Sequence, residues 1–433
     1  MTELPHANYL AGLLKSWSGK PARPLSWLND LRARAIDRVS QQALPTKRDE
    51  EWRFTDISTL THLPYLPSRP ETHLQRHDID HLFLSEARIR LVFVDGYFQQ
   101  QLSTIQNSDD LIIGNLPDFS ASHSSILESH LTQYAAFDHN IFAALNTAFL
   151  RDGALLIIPK NTTIADPIHL LFIATQPEVT SYTRCLLIGE AGSNVTLVEE
   201  YAALEQFAYI NNSVTEIALA ANAQANHIRI QRESKQAFHL ANCSVALAHA
   251  SRYLSTSISL GSQISRYNLD IRLAEEAAEC SVDGLALISD NQLADTHTCI
   301  DHVKPNGTSH QQHKCIVDGS AHAVFNGKII VRPHAQRTNS SQSSRNLLLS
   351  KTAQIDTKPQ LEIFADDVKC AHGATVGQLD PEEIFYLKSR GLSELSARNL
   401  LTFAFGAEII SRISIPSLRQ QLEQAVLNQT QSN

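Results

Sequence analysis

Hydrophobic positions along the chain follow three successive patterns. Up to about residue 85 they recur at helical spacing, as Trp27, Leu31 and Ala35 do. Apolar and polar residues then alternate in short runs, which is typical of strands, before helical spacing returns near the C-terminus. We therefore predict an N-terminal helical region (1–85), a β-strand region (86–375) whose core starts at about 153, and a C-terminal helical region (376–433).

The strand-like runs return at intervals of about 25 to 30 residues. Small polar turns such as Glu190-Ala191-Gly192-Ser193-Asn194 separate them. A repeat of this length favours a solenoid of stacked coils over a sandwich, and a solenoid ends in an unpaired strand edge that invites a similar chain to pair with it. The runs are 170–173, 186–188, 195–199, 217–219, 228–230, 258–260, 269–271, 285–288 and 328–331.

A cysteine and a histidine lie where the last strand-like run gives way to a helix. Cys370 and His372 are two residues apart, so on an extended segment both side chains point to the same face, roughly 6 to 7 Å apart at the backbone. Asp380 and Pro381 predict the start of the helix that follows, and Gly391 its end. A thiolate and an imidazole make half of a metal or cluster site, so a partner must supply the remaining ligands.

Composition excludes several classes of function. The chain has 433 residues, a net charge of -9 and a pI near 6.1, which give no electrostatic footprint for nucleic acid or an anionic membrane surface. No run of about 18 apolar residues and no secretory signal appears, so we expect a cytoplasmic protein. Its six scattered cysteines contain no C-x-x-C pair and are expected to be free thiols.

A second group of histidines and cysteines lies between residues 297 and 315. His297 and Cys299 share one strand face, as do His313 and Cys315, so an intrachain metal site is one hypothesis. The other is that these side chains are solvent-facing or interface polar residues on successive coils, because their spacing matches no compact metal motif.

Three segments of the chain resemble the SufB/SufD family, whose members are subunits of the SUF iron–sulfur cluster assembly complex. The closest resemblance covers residues 361–391. A second covers the stretch that starts at Phe325-Asn326-Gly327-Lys328, so matching positions run from about Gly319 to Phe405, and weaker agreement covers the charged segment 45–55. SufB usually carries Glu-His-Glu-Ala where this chain has Cys370-Ala371-His372-Gly373, which favours the SufD branch. The resemblance implies a mainly β fold, a right-handed parallel β-helix flanked by α-helical regions at both ends.

The resemblance also implies partners and a site. SufB would pair with the β-helix, the SufC ATPase would dock on the C-terminal helical region, and His372 with Cys370 would lie at the SufB boundary and take part in building the cluster. Residues expected in the SufC-docking region are Phe385, Tyr386, Leu387, Arg390, Phe403 and Phe405. The isolated chain would hold no tightly bound cofactor, only transient iron or an iron–sulfur cluster in the complex. Apart from the resemblance, the open solenoid edge favours a homodimer when the chain is alone. The host compartment would be the plastid stroma in a photosynthetic eukaryote.

The sequence contains no Gly-x-Gly-x-x-Gly or Gly-x-Ser-x-Gly motif, which supports a non-enzymatic scaffold that borrows its energy from an ATPase. Two alternatives remain open. A SufB-like subunit would hold a nascent cluster by itself. A β-helix carbohydrate-active enzyme would need two carboxylates on one face, whereas the adjacent residues Glu199 and Glu200 point to opposite sides of a strand.

Overall fold

The computed structural model describes residues 4–17, 26–62, 66–105, 111–119 and 122–431. The α-helices are α1 (Leu4–Ser16), α2 (Ser26–Gln41), α3 (Arg76–Ile79), α4 (Leu116–Phe119), α5 (Ser124–His130), α6 (Ile141–Ala148), α7 (Pro381–Ser389), α8 (Glu394–Ile410) and α9 (Pro416–Gln431). Short 3-10 helices span Glu50–Trp52, Ser58–His62, Asp80–Leu82 and Gln100–Leu102.

The strands are β1 (Leu66–Pro67), β2 (Ile89–Val94), β3 (Tyr97–Phe98), β4 (Ile112–Asn115), β5 (Ala154–Ile158), β6 (Ile168–Ala174), β7 (Val179–Gly189), β8 (Asn194–Ala203), β9 (Ile210–Leu219), β10 (Gln224–Arg232), β11 (Phe238–Leu247), β12 (Arg252–Ser259), β13 (Ile264–Leu273), β14 (Glu279–Ile288), β15 (Leu293–His302), β16 (Thr308–Val317), β17 (His322–Val331), β18 (Thr338–Leu348), β19 (Gln354–Ile363) and β20 (Val368–Gly377).

Successive strands alternate between two facing parallel sheets, which makes the molecule a β-solenoid of about eight turns. Sheet A runs β19-β17-β15-β13-β11-β9-β7-β5-β4, and sheet B runs β20-β18-β16-β14-β12-β10-β8-β6-β2-β3. Phe238 pairs with Ile264 on the next coil, 26 residues on, and His322 pairs with Gln354, 32 residues on. The predicted fold class, mainly β with a solenoid core and helices at both ends, is confirmed.

The interior between the sheets is apolar along much of its length but contains buried charges. Leu187, Leu197 and Ile217 are 0% exposed, as expected for alternate residues of strands that face a core. Glu199 also points inward, where it contacts Thr215 of the facing sheet and His227 of the next coil. Burial opposes ionisation of Glu199, but hydrogen bonds from His227 and Tyr201 outweigh it and lower its pKa to about 2.

Helices cover the outer faces of both sheets. On sheet A, α2 and α6 bury Leu31, Ala35 and Phe142 against strand residues such as Leu186 and Val214. On sheet B, α8 and α9 bury a separate apolar cluster. Each side chain in that cluster contributes about 1.5–3 kcal/mol of burial free energy. Its helical members are Ile409, Ile410, Leu418, Leu422 and Val426.

Within the part of the chain that the structure describes, none of the helices combines the length and apolar character needed to cross a membrane. Several described strands of the solenoid lack the apolar alternation that reveals the others, and β11 and β18 are examples. In β11 the inward positions begin with His239, and in β18 they include Ser340, Gln342 and Ser344. These strands belong to the fold because their neighbours on both sides supply hydrogen-bonded partners, which composition does not show.

Candidate functional site

The C-terminal end of the solenoid is open. Among the described strands, β19 pairs only with β17 and β20 pairs only with β18, so the other edge of each strand is free. The residues of both strands are half-buried or exposed, and Ile363 and Val376 are 41% and 48% exposed. An exposed, partly apolar strand edge is a ready template for pairing with another chain.

Cys370 and His372 lie on β20 at this free edge. They pair in register with Ser340 and Gln342 of β18, whose side chains are buried inside the solenoid. The alternation of β20 therefore places both side chains on one face, as the sequence predicts, and the register with β18 makes that face the inward one. Cys370 is half-buried, and burial raises its thiol pKa, whereas His372 is exposed. The pair presents one sulfur and one imidazole at the mouth of the solenoid.

Helix α7 follows β20 and projects from the open end. The Asp380 carboxylate accepts a hydrogen bond from the backbone N–H of Glu382 at 2.8 Å, so the predicted cap is present. Phe385 and Tyr386 are 73% and 56% exposed on this helix, and the Arg390 guanidinium lies 5.2 Å from the Tyr386 ring centroid. Exposed aromatic side chains at this density are typical of a surface that another protein covers.

Other residues of the predicted docking region lie elsewhere in the helical layer. Leu387 is half-buried, and Phe403 and Phe405 pack against the cluster between α8 and sheet B. The Lys314 ammonium lies 4.3 Å from the Phe405 ring centroid, which ties α8 to β16. Sequence reasoning missed Leu395 and Leu400, which are 51% and 45% exposed on α8 although helical spacing alone suggests a packed face.

His297 lies on the outer face of sheet A, under a segment we call the strap (residues 45–56). Its Nε2 lies 3.0 Å from an Asp295 oxygen, and its Nδ1 lies 3.0 Å from Glu51 Oε2 of the strap. Both ring nitrogens are therefore engaged, and the imidazole holds the strap rather than facing an open ligand position. Burial opposes its protonation, but Asp295 and Glu51 outweigh burial and raise the pKa of His297.

The strap encloses a groove of about 1050 Å³ against sheet A. Trp52 is half-buried beneath the Arg266 guanidinium, 4.4 Å from its ring, and Lys358 donates to Glu50 at 2.9 Å. Cys299 lines this groove, where burial raises its thiol pKa to about 12 and suppresses the thiolate that binds metals.

His313 and Cys315 point into the solenoid from sheet B and lie on the opposite side of the molecule's core from the strap. His313 stacks on Phe325 with 4.4 Å between ring centroids, and burial lowers its pKa to about 3. The two histidine–cysteine pairs thus belong to different sheets and different faces. Across the described ranges, no three His, Cys, Asp or Glu side chains are grouped so that they could hold a metal ion.

The adjacent carboxylates of β8 separate as their strand geometry requires. Glu199 lies inside the solenoid, whereas Glu200 faces outward and binds His169 at 3.1 Å and Arg232, which also contacts Gln421 of α9. Both carboxylates form ion pairs with neighbouring strands of the same sheet. They do not form the pair of facing carboxylates that a glycosidase needs.

These features define a class: a two-sheet parallel β-solenoid with helical layers on both faces and a cysteine–histidine pair at its open edge. The chain matches the family described as SUF system FeS cluster assembly, SufBD core domain, over residues 172–405, and the SufBD protein N-terminal region over residues 22–170.

The chain is 40% identical to an iron–sulfur cluster assembly SufBD family protein of Synechocystis over 413 residues, which cover 93% of this chain and 91% of that protein. It is 32% identical to the iron–sulfur cluster assembly protein SufD of Escherichia coli, covering 89% of each chain. It is 28% identical to the chloroplastic protein ABCI7 of Arabidopsis thaliana, covering 94% of this chain and 86% of that one. The chain therefore belongs to the SufB/SufD family and has a role in SUF iron–sulfur cluster assembly.

Proposed function

We propose that the chain is a non-catalytic scaffold subunit that pairs with SufB through the open end of its solenoid and docks the SufC ATPase on α7 and α8. The observation that carries this proposal is the free edge of β19 and β20, with Cys370 and His372 at its mouth. Another β-solenoid of the same family offers strands of matching spacing, so pairing along this edge continues both sheets across the interface.

The same edge explains why the cysteine–histidine pair is incomplete. Iron and iron–sulfur clusters are held by about four ligands, and β20 offers two. Ligands from SufB, brought close by edge pairing, would complete a transient site at the boundary. His372 is the more available ligand because it is exposed, whereas the Cys370 thiol is half-buried and its pKa is raised. Iron and sulfide are cargo in this scheme.

The exposed apolar residues of α7 and α8 support the ATPase part of the proposal. Phe385, Tyr386, Leu395 and Leu400 are exposed on the two helices that follow β20, and we take them together as the docking surface. An ATPase bound to α7 would then sit close to β20, where the cluster is built. Phe403 and Phe405 act from behind this surface by fixing α8 to sheet B.

Co-expression with SufB and SufC tests the pairing. Ile363→Lys with Val376→Lys places charges on the free edge without removing a buried side chain, since both residues are more than 40% exposed. We expect this variant to keep the thermal stability of the parent but to lose SufB in co-purification, because lysines on an edge oppose strand pairing. Leu66→Lys, at a site 47% exposed and far from that edge, is the matched control.

Retention of SufB by the edge variant would overturn the proposed interface. The same co-purification tests the docking surface: Phe385→Asp with Leu395→Asp should reduce SufC and leave SufB. When SufB is absent, the free edge of a second copy of the chain takes its place, which gives a homodimer. Measuring the molecular mass of the isolated parent and of the edge variant in solution shows whether the homodimer forms through this edge.

A further inference from the structure

Gln342 is the neighbour of His372 on the next strand of sheet B, on the side away from the open edge. It is the residue of β18 that pairs in register with His372 of β20, and both side chains are on the inward face of sheet B. Neighbouring strands lie about 4.8 Å apart, so the backbone positions that carry the two side chains are adjacent. Gln342 is 3% exposed, and His372 is exposed at the rim. The glutamine is thus the first buried polar group inward of the histidine.

The Gln342 amide is held by a chain of hydrogen bonds that crosses the interior. Its Nε2 donates to Gln311 Oε1 of β16 at 2.8 Å, and Gln311 Nε2 donates to Thr298 Oγ1 of β15 in the facing sheet at 2.8 Å. The Gln342 amide is oriented by this chain, because turning it over would set two carbonyl oxygens against each other.

The facing sheet also leaves room for this side chain. Gly327 of β17 lies opposite, and a Cβ at that position would be 2.2 Å from Gln342 Nε2 and 2.8 Å from its amide carbon. Any larger residue at 327 would displace the amide. The position of the Gln342 amide is therefore set by its hydrogen bond to Gln311 on the same sheet and by the space above Gly327 on the facing sheet.

One polar atom of the Gln342 amide has no hydrogen-bond partner in the part of the chain that the structure describes. Gln342 Oε1 is buried and has no hydrogen-bond partner among the described residues. Nε2 is engaged on the β16 side, and the oxygen diverges from it at the same carbon, so Gln342 can present Oε1 to β20 without giving up its bond to Gln311. The His372 ring likewise has no hydrogen bond recorded within the described ranges. A buried acceptor and a free ring donor on adjacent strands are complementary.

We propose that Gln342 is a positioning residue for His372: its Oε1 accepts a hydrogen bond from one ring N–H of the neutral imidazole and turns the other nitrogen towards the open edge. This inference rests on the proposed role of His372 as an iron ligand. A histidine that ligates metal gives its second ring N–H to such an acceptor, which fixes the tautomer, and loss of the acceptor lowers metal affinity about 10- to 100-fold.

The tautomer of His372 tests the proposal directly. Nitrogen-15 chemical shifts of the imidazole in the isolated full-length chain at about pH 8, assigned by their loss in His372→Ala, should show one dominant tautomer in the parent. Gln342→Leu, which keeps the volume and removes the acceptor, should give a mixture of both tautomers. The control is Ser343→Ala, the outward-facing neighbour on the same strand, which should behave as the parent.

Gly327→Ala provides a second variant, in β17, that changes no residue of β18 or β20. Its methyl group displaces the Gln342 amide and should also abolish the tautomer preference, so the proposal can be judged even if Gln342→Leu fails to fold. An unchanged tautomer preference in folded Gln342→Leu or Gly327→Ala would overturn it. Iron retention by the complex with SufB is scored separately: unchanged iron in His372→Ala would refute the iron-ligand role, while the tautomer result would still decide what Gln342 does.

Discussion

Charged side chains buried at the outer face of sheet A fasten a loop to the solenoid. The Glu216 carboxylate accepts backbone N–H bonds from Thr132 at 2.9 Å and from Tyr134 at 3.0 Å, and it pairs with Arg184. Arg184 and Glu216 are 0% exposed, and Arg184 also donates to Asn146 of α6 at 3.1 Å. The Glu216–Arg184 pair thus connects two strands, β7 and β9, with a loop and a helix.

Glu216→Ala should destabilise the chain by about 3–5 kcal/mol, because it leaves the Arg184 guanidinium buried without its counter-charge and frees the loop. Chemical denaturation measures this change. Lys235→Ala removes the exposed ion pair with Asp290, in which the two side chains are 62% and 61% exposed, and should change stability by less than about 1 kcal/mol. Equal effects of the two substitutions would contradict the account.

At the scale of elements, the strap is the part of the N-terminal region that joins the last coils of sheet A. Glu51 contacts His297, Glu50 contacts Lys358 of edge strand β19, and Thr55 donates to Asp295. Two coils, those of β15 and β19, are therefore bridged by one segment that lies more than 200 residues away in sequence. The strap stabilises the end of the solenoid where the strands have the fewest neighbours.

Attachment of the strap should depend on pH. The pKa of His297 is raised in the folded chain, so its contribution is complete below about pH 6.5 and is lost as the pH rises through the raised value. The pKa of Glu51 is lowered and that of Asp295 is about 2, so their contributions are complete above about pH 4 and are lost at more acidic pH. The strap should be most tightly held between these limits.

Hydrogen-exchange protection factors of the strap amides test this dependence. Above the raised pKa of His297 they should fall about fivefold, the effect of an ion pair worth about 1 kcal/mol. In His297→Gln the alkaline step should be absent. An alkaline step of the same size in His297→Gln would show that another group is responsible.

Some elements follow directly from local sequence, and others depend on contacts that no local pattern reveals. Helix α7 was predictable because Asp380, Pro381 and Gly391 each satisfy a backbone requirement at its ends. The Cys370 and His372 pair was predictable because two residues on one strand share a face. The faces of His297 and His313 were not, because turn lengths change which alternate residues point inward: Tyr267 and Leu269 do so in β13, but Cys280 and Val282 do so in β14.

Over the described residues, the molecule as a whole is a solenoid covered by helices, with unpaired strand edges at its C-terminal end. Helices cover the outer faces of both sheets, and β2 and β4 begin the stack at the other end with their antiparallel neighbours. The solenoid and an open strand edge at its end were predictable from the repeat of strand-like runs, but SufB as the partner proposed for that edge came only from the resemblance to the SufB/SufD family. Exposed β20 residues and the exposed surface of α7 lie consecutively in the chain, so pairing and ATPase docking would occur side by side.

The central claim is that this open end places His372 where iron is held between the chain and SufB. The most direct measurement is the iron content of the reconstituted complex with SufB and SufC, comparing the parent, His372→Ala and His310→Ala. His310 is an exposed histidine on the outward face of β16 and serves as the control.

We expect His372→Ala to assemble a complex of the same composition that retains at least about tenfold less iron, since even loss of an outer-shell partner weakens metal binding by that factor. His310→Ala should retain iron as the parent does. An intact His372→Ala complex that retains as much iron as the parent would contradict the claim and leave His372 as an ordinary rim residue of the solenoid.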